Sequence, residues 1–147
     1  MTGRYPEFDF LSTLDRGTVL DGEVVVLRGG KPDFAALQKR EHARSKRKIK
    51  MVSESTPATF MAFDLLFDAY EVLVDRPLVE RRDRLRAVVA RCGHPGLVMS
   101  EGIVGPGTAY FAEACLLGLE GVVAKRLDSP YLSGQRTTRS DGARIAP

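Results

Sequence analysis

The chain alternates between short apolar segments rich in Val, Leu and Phe and polar segments that contain Gly, Pro or charged residues. Short apolar runs bounded by turn residues are typical of buried strands. The sequence predicts such strands at residues 18–27, 58–67, 70–73, 97–100 and 122–125. Residues 1–17 are predicted to be irregular or partly helical, and the chain is predicted to be loop-like from Ser129 onward.

The longest predicted helix begins at Arg76-Pro77 and ends near Cys92, with Gly93 as its stop. Its apolar residues recur at helical spacing and share one face, which is expected to pack inward. These residues are Leu78, Leu85, Val88, Val89 and Cys92.

Two shorter helices are predicted at residues 34–43 and 107–117. Asp33 is expected to cap the first, with Phe34 and Leu37 facing inward. The inward residues of the second are predicted to be Phe111, Ala114 and Cys115. Strands and helices mix without a regular βαβ order, so we predict an α+β fold with largely antiparallel sheets and flanking helices.

A chain of 147 residues suits one domain with one core, and its net charge of 22 − 19 = +3 permits a nucleic-acid partner without requiring one. Cys92 and Cys115 are far apart in apolar surroundings, so both are expected to be reduced core thiols, with no zinc-ligand spacing. There is neither an apolar run of about 18 residues nor a signal-peptide pattern, and we predict a cytoplasmic protein without membrane contact.

Residues 39–50 are the most basic segment, with seven Lys or Arg residues and one acidic residue. The segment is either a solvated helix end followed by a mobile loop, or a surface that contacts nucleic-acid phosphates. It has no interleaved aromatic residue, so base stacking is not indicated. The predicted nucleic-acid-binding residues are Arg40, Arg44, Lys46, Arg47 and Lys48.

Individual acidic residues remain ambiguous when they are considered alone. Glu23 follows Asp-Gly at the start of a Val-rich strand, where a carboxylate is usually solvated. Asp64 interrupts an apolar run, so it lies either at an exposed strand edge or in a cleft, and Phe63 beside it is either a core residue or part of that cleft. Glu120 is separated from Lys125 by an apolar segment, which also permits a structural ion pair.

Three signatures in fixed order remove much of this ambiguity. They are Leu20-Asp21-Gly22-Glu23, Phe63-Asp64-Leu65-Leu66 and Leu119-Glu120-Gly121-Val122-Val123-Ala124-Lys125-Arg126. Together they resemble the adenylation domain of ATP-dependent DNA ligases of the bacterial end-joining type. Residues 32–38 and 75–82 also resemble connecting segments of these ligases.

The resemblance implies a nucleotidyltransferase fold and a cleft that binds ATP and Mg²⁺. Glu23 would contact the ribose, Phe63 would stack on adenine, Glu120 would hold the metal and Lys125 would face the phosphates. Such ligases pass AMP from a lysine to a 5′-phosphate and seal nicks or breaks in duplex DNA. The resemblance therefore also implies a nucleoid-associated role in DNA repair and recombination.

Departures from the family pattern limit what this polypeptide is expected to do. It contains no Lys-x-Asp-Gly motif, so no catalytic nucleophile is assigned and self-adenylation by this chain alone is not expected. Residues 135–147 contain neither Lys nor Trp, although the last adenylation motif of the family carries two lysines. We therefore predict an incomplete adenylation domain at residues 1–134, a divergent tail at residues 135–147 and no OB-fold domain. In that tail, Arg139-Ser140-Asp141-Gly142 resembles the nucleophile motif with Arg in place of Lys. We interpret this as a chance similarity or an out-of-register tail rather than as a permuted, disabled nucleophile site.

Three alternatives stay open. The chain is a noncatalytic DNA-binding remnant, a relative of capping enzymes or RNA ligases, or half of a split enzyme completed by an N-terminal fragment that carries the nucleophile. Unpaired strand edges in an incomplete fold also predict self-association.

Overall fold

The computed structural model describes residues 2–119, 121–134 and 142–145, the last of these through the backbone only. Two 3-10 segments, Thr2–Arg4 and Pro6–Thr13, open the described part of the chain. The strands are β1 (Val19–Val25), β2 (Leu27–Arg28), β3 (Lys31–Pro32), β4 (Thr59–Asp68), β5 (Glu71–Val72), β6 (Leu97–Met99), β7 (Val122–Lys125) and β8 (Gly142–Ile145). The helices are α1 (Phe34–Glu41), α2 (Lys46–Ser55), α3 (Leu78–Cys92) and α4 (Thr108–Leu116).

The main sheet is organised around β4, its longest strand. β1 pairs antiparallel with one edge of β4, while β5 and β6 pair with the two ends of the other edge. Only the β4–β6 pair is parallel among the strand pairs of the described residues; β2–β3 and β7–β8 form two separate antiparallel ribbons. The predicted α+β class with largely antiparallel sheets is confirmed.

The Asp21-Gly22-Glu23 segment lies inside β1 and not in a turn. A Cβ atom added at Gly22 would lie 2.3 Å from the carbonyl oxygen of Met61, so a side chain at this position would collide with the backbone of β4. The strand register also shifts between Asp21 and Gly22. Glycine is therefore required here because β1 and β4 approach each other closely.

The core forms where α3 packs against the main sheet. Ala62, Leu65, Leu73, Leu85 and Val88 are all at most 1% exposed. The predicted apolar face of α3 is confirmed, since Leu78 is also buried and Val89 and Cys92 pack against this cluster. Gly93 ends the helix in the left-handed region at φ 59°, as a C-terminal glycine does.

The buried face of α1 agrees with the prediction at Leu37 and differs from it at Phe34. Leu37 packs against the apolar cluster that includes Tyr5 and Phe8. Asp33 caps the helix as expected, and its Oδ1 accepts a hydrogen bond from the Ala36 amide at 2.8 Å. Phe34 is 71% exposed, so its predicted inward position is wrong. Ala36 and Arg40 are the buried residues of α1, and their i, i+4 spacing places them on a face that does not include Phe34.

Other differences concern the basic segment, a cysteine and the tail. Residues for which a mobile loop was one of two interpretations instead begin α2, because the Ser45 hydroxyl accepts a hydrogen bond from the Lys48 amide and caps the helix. Cys115 is exposed and not a core thiol, while Ala114 is the buried residue of α4. Part of the predicted loop after Ser129 forms β8, which supplies the backbone partners of β7.

No helix within the described residues combines the length and the apolar composition that a membrane span requires.

Asp64 lies at the centre of the main sheet and is fully buried, so it is neither the exposed edge residue nor the cleft residue that the sequence suggested. Its two carboxylate oxygens accept hydrogen bonds from Arg81 Nε at 2.8 Å and Nη2 at 2.9 Å. Arg81, on α3, is 2% exposed. Its Nη1 donates to the backbone oxygens of Ser129, at 3.0 Å, and Arg76. The Leu65 amide also donates to Asp64. This network joins the sheet, α3 and the segment that follows β7.

Replacing Asp64 with Asn is expected to lower the free energy of unfolding by about 3–5 kcal/mol, because Arg81 keeps its charge while its buried counter-ion is removed. Urea denaturation followed by circular dichroism measures this change. Asp83→Asn is the matched control, because Asp83 is exposed and pairs with Arg86 on the surface. Its effect is expected to stay within about 0.5 kcal/mol. Equal transition midpoints for the two variants would contradict this account of the core.

Candidate functional site

Glu23 and Phe63 are brought to the same face of the main sheet. Glu23 is the register partner of Met61, and Phe63 is two residues further along β4. Because side chains alternate along a strand, Met61 and Phe63 share one face while Ala62 and Asp64 share the opposite face. Asp64 contacts α3, so Glu23 and Phe63 lie on the face of the sheet turned away from that helix.

The exposures of these two side chains differ in a way that suits a binding surface. Glu23 is exposed, whereas Phe63 is half-buried and is absent from the apolar cluster under α3. A solvent-facing carboxylate can accept hydrogen bonds from hydroxyl groups, and a partly exposed aromatic ring offers a flat apolar face for stacking. The pair can therefore contact a ligand that carries both a sugar and an aromatic ring.

Arg82 hydrogen-bonds the backbone at Phe63, although no sequence motif marks this residue. Its Nη1 donates to the Phe63 carbonyl at 3.1 Å, and its Nη2 donates to the Ser100 carbonyl, just beyond β6, at 2.6 Å. Arg82 thus joins α3 to two strands of the sheet. The neighbouring Arg81 could have been recognised from the sequence, because it lies on the same helical face as Leu78 and Leu85.

Lys125 lies at the end of β7, in a ribbon separate from the main sheet, and its side chain is exposed. The structure therefore does not place it on the same sheet as Glu23 and Phe63. The segment after Lys125 is nevertheless hydrogen-bonded to α3 and to the residues that precede it. The Val79 amide donates to the Leu127 carbonyl at 3.0 Å, and the Tyr131 amide donates to the Val74 carbonyl at 2.7 Å.

Tyr131 also connects this segment to β1. Burial raises the pKa of the Tyr131 phenol, and the charge of Asp21 together with a hydrogen bond to Asp21 raises it further. Asp21 is two residues before Glu23. The chain that follows Lys125 therefore returns to the strand that carries Glu23.

Glu120, the predicted metal ligand, and Arg139 lie outside the described residues. Within residues 2–119, 121–134 and 142–145, no group of three or more His, Cys, Asp or Glu side chains is arranged to hold a metal ion. Mg²⁺ commonly takes only one or two protein carboxylates and completes its shell with phosphate oxygens and water. A magnesium site that is completed by a nucleotide therefore does not require such a group.

Four of the five predicted nucleic-acid-binding residues are exposed. Lys46, Arg47 and Lys48 occupy the first turn of α2, and Arg44 immediately precedes its cap. Positive charge is unfavourable at a helix N-terminus, where the helix dipole is itself positive. An anion at this end of α2 would relieve that repulsion.

Arg40 is different, because it is only 1% exposed. Its Nη2 donates to Glu7 Oε1 at 2.5 Å, and its guanidinium lies 5.1 Å from the centre of the Tyr5 ring. Arg40 lies on the buried face of α1, so the prediction of a surface DNA contact at this residue is not supported. The exposed basic surface consists of the other four residues.

A cavity of about 530 Å³ lies between the N-terminal 3-10 segments and α2, and its lining includes Glu7, Lys46, Ile49 and Lys50. Neither Glu23 nor Phe63 lines it. The cavity and the candidate nucleotide face are therefore separate features of the molecule.

Comparison with known proteins places these features in a family. Residues 8–140 match the model of the ATP dependent DNA ligase domain. The chain is 36% identical over 138 residues to the SPbeta prophage-derived DNA ligase-like protein LigB of Bacillus subtilis, covering 93% of this chain and 47% of that protein.

Solved structures agree with this match. The ligase domain of M. tuberculosis LigD superposes with a TM-score of 0.69 at 30% identity, covering 99% of this chain and 43% of that one. A mycobacterial DNA ligase D complexed with ATP and MES gives a TM-score of 0.68 at 31% identity, covering 96% and 43%. This chain thus spans less than half the length of these relatives. It belongs to the ATP-dependent DNA ligase family and corresponds to part of an adenylation domain of the bacterial end-joining type.

Proposed function

We propose that this chain forms the nucleotide-facing sheet of an ATP-dependent DNA ligase. The parent activity is the sealing of nicks or breaks in duplex DNA through enzyme–AMP and DNA–AMP intermediates. The observation that carries the proposal is the shared face of Glu23 and Phe63, on strands that the family match covers. Repair and recombination of DNA in the bacterial cytoplasm, next to the nucleoid, are the corresponding cellular roles.

Each site residue has a proposed task. Glu23 accepts hydrogen bonds from ribose hydroxyls, and Phe63 stacks on adenine. Lys125 faces the phosphates, which suits its exposed position on β7. The ATP bound to a related mycobacterial ligase supports the choice of nucleotide. Glu120 would hold Mg²⁺, which neutralises phosphate charge and orients the phosphate oxygens.

The 147-residue polypeptide alone is proposed not to form the lysine–AMP intermediate. Attack on the α-phosphate requires a neutral lysine amine, and the sequence contains no Lys-x-Asp-Gly motif. Lys31 is followed by Pro-Asp-Phe and Lys125 by Arg-Leu-Asp. A complementing N-terminal fragment that carries the motif is therefore a proposed partner. In this proposal residues 1–134 are the adenylation part, and residues 135–147 are a divergent tail.

A second candidate function is DNA binding without catalysis, and the basic N-terminal turn of α2 favours it. Arg44, Lys46, Arg47 and Lys48 are exposed together over five residues of sequence. Clustered cations on a surface bind the phosphates of a duplex by releasing condensed counterions. Nicked DNA compared with nicked RNA in a binding assay separates a DNA ligase from the RNA-ligase alternative.

Incubation with α-labelled ATP and Mg²⁺, followed by a denaturing gel, tests the nucleophile. We expect no labelled band from the folded chain, and recovery of a band when a fragment containing Lys-x-Asp-Gly is added. A labelled band from the chain alone would show that one of its own lysines acts as the nucleophile.

Glu23→Gln and Phe63→Ala are expected to weaken ATP binding by about tenfold each, because one removes a charged hydrogen-bond acceptor and the other a stacking surface. Isothermal titration calorimetry measures this affinity. Glu113→Gln is the matched control for the carboxylate, since Glu113 is exposed on α4. The assignment fails if the control and Glu23→Gln bind ATP equally well.

The proposed DNA surface predicts a specific salt dependence. Changing Lys46, Arg47 and Lys48 together to Gln should flatten the plot of log affinity against log salt, by about 0.9 for each duplex phosphate that the variant no longer neutralises. Fluorescence anisotropy with a nicked duplex measures the slope. A control variant that removes three exposed charges elsewhere, at Arg16, Arg86 and Arg91, should keep the wild-type slope. If both triple variants flatten the slope equally, binding depends on net charge alone.

Self-association is also proposed, because large apolar side chains are exposed near α4 and β7. Leu116 is 81% exposed, Val104 78% and Val123 61%. Exposed apolar side chains favour contacts between molecules where they form a patch. Light scattering should therefore give a mass that rises with protein concentration, and Leu116→Lys should reduce the rise. A constant monomer mass at high concentration would contradict this proposal.

A further inference from the structure

A second, smaller cavity lies between β2, α1 and α2. Its volume is about 90 Å³, which is room for roughly three water molecules at about 30 Å³ each, or for one tetrahedral oxyanion. The residues that line it are Arg28, Ala36, Lys39, Arg40, Val52 and Thr56. Three of these six residues carry a positive charge, and none carries a negative charge.

Arg40 is the buried member of this lining, and its hydrogen bonding is incomplete. One nitrogen, Nη2, donates to Glu7 Oε1 at 2.5 Å and lies 3.5 Å from the Arg4 carbonyl. The other two, Nε and Nη1, are buried and have no hydrogen-bond partner among the described residues. Buried charged donors are normally satisfied, so a guanidinium with two free donors beside a cavity indicates a ligand that accepts hydrogen bonds.

The surrounding charges favour an anion over a neutral ligand. Glu7 does not line this cavity, but its Oε1 pairs with Arg40 and offsets that charge, and it also accepts a hydrogen bond from the Ala58 amide at 2.9 Å. The other oxygen, Oε2, is buried without a hydrogen-bond partner among the described residues. Asp33 pairs with Arg28 at 3.3 Å, which offsets one of the two cations at the exposed rim. Lys39 is exposed on α1, next in sequence to Arg40, and the Thr56 side chain brings a hydroxyl group to the lining.

We propose that this cavity binds one phosphate-type oxyanion. Arg40 donates from within the protein, while Lys39 and Arg28 supply positive charge at the rim. Guanidinium and ammonium groups are the side chains that hold phosphate most strongly. The site is distinct from the Glu23–Phe63 face, and its lining contains none of Arg44, Lys46, Arg47 and Lys48. The inference therefore goes beyond the proposed ligase function and does not depend on it.

The phosphate has two sources with the same chemistry. It is either a free inorganic anion or a phosphate group of a nucleic-acid strand. The basic residues on α2 would bring a strand to this side of the molecule, but the small volume around Arg40 also suits the free anion. Both sources supply a tetrahedral group whose oxygens accept hydrogen bonds from Arg40.

Nuclear magnetic resonance of the full chain tests the site directly. Inorganic phosphate is titrated at constant ionic strength, with chloride as the replacement ion, while the side-chain Nε and Nη resonances of Arg40 are followed. We expect a saturable shift of these resonances with phosphate. No shift, or a shift that grows linearly without saturation, would overturn the proposal.

Variants at the rim keep the test independent of folding, because they leave the buried Arg40–Glu7 pair intact. The double variant Arg28→Gln and Lys39→Gln should raise the phosphate dissociation constant by about tenfold or more, since it removes both rim cations. Lys50→Gln is the matched control for Lys39→Gln. Lys50 belongs to the same basic segment but lines the larger cavity, so its variant should bind phosphate like the wild type. Equal weakening by both variants would mean that phosphate responds to net charge only, which would overturn the site.

A short duplex added as a second titrant separates the two sources. If the duplex shifts the Arg40 resonances and phosphate competes with it, the site holds a strand phosphate. If only inorganic phosphate shifts them, the site holds the free anion. Both results support an oxyanion site at Arg40, and neither requires ATP binding or adenylation.

Discussion

A carboxylate at the centre of a sheet stays charged only if a fixed cation replaces the water that it loses. Asp64 meets this condition through the two-point hydrogen bond from Arg81, and the arrangement of the main sheet, α3 and the segment after β7 depends on this contact. The desolvation of two charges makes such a pair a weak source of net stability. Its effect is on specificity, because a register that separates Asp64 from Arg81 would leave both charges buried and unpaired.

This constraint also explains how one four-residue signature places a buried ion pair on one face of the sheet and an aromatic ring on the other. Phe63 and Asp64 are adjacent on β4, so their side chains point to opposite faces of the sheet. Because Asp64 points toward α3, Phe63 must point to the opposite face of the sheet, where Glu23 also lies on the neighbouring strand. Arg82, next to Arg81 on the helix, adds a hydrogen bond to the carbonyl of Phe63. Consecutive arginines thus contact the side chain of Asp64 and the backbone of Phe63 on one strand.

Periodicity predicted the elements whose apolar residues are numerous, such as β4 and α3. It failed where one polar residue decided the geometry. In α1 the inward face was assigned from Phe34 and Leu37. Leu37 does pack against the apolar cluster, but Phe34 is exposed, and Arg40 is buried through its ion pair with Glu7. The start of α2 was missed because a run of basic residues was interpreted as a loop, although Ser45 was available as its cap. β8 has no apolar pattern of its own and is defined by pairing with β7, which a local pattern cannot reveal.

The candidate site was predictable only in part for the same reason. The three signatures identified Glu23 and Phe63, and the strand register then explains why they share a face. Arg82 carries no signal in the sequence, since charged residues on a helix are usually solvated. The only sequence signal of Arg81 is its position on the apolar face of α3. Arg40 is the opposite case. It was predicted to lie on the surface because its neighbours in sequence are basic, but its side chain is buried. Burial separates it from Lys46, Arg47 and Lys48, which attract a polyanion at long range. Arg40 is accessible only to a group small enough to enter the cavity beside it, so the buried and the exposed residues of this basic segment cannot make the same kind of contact.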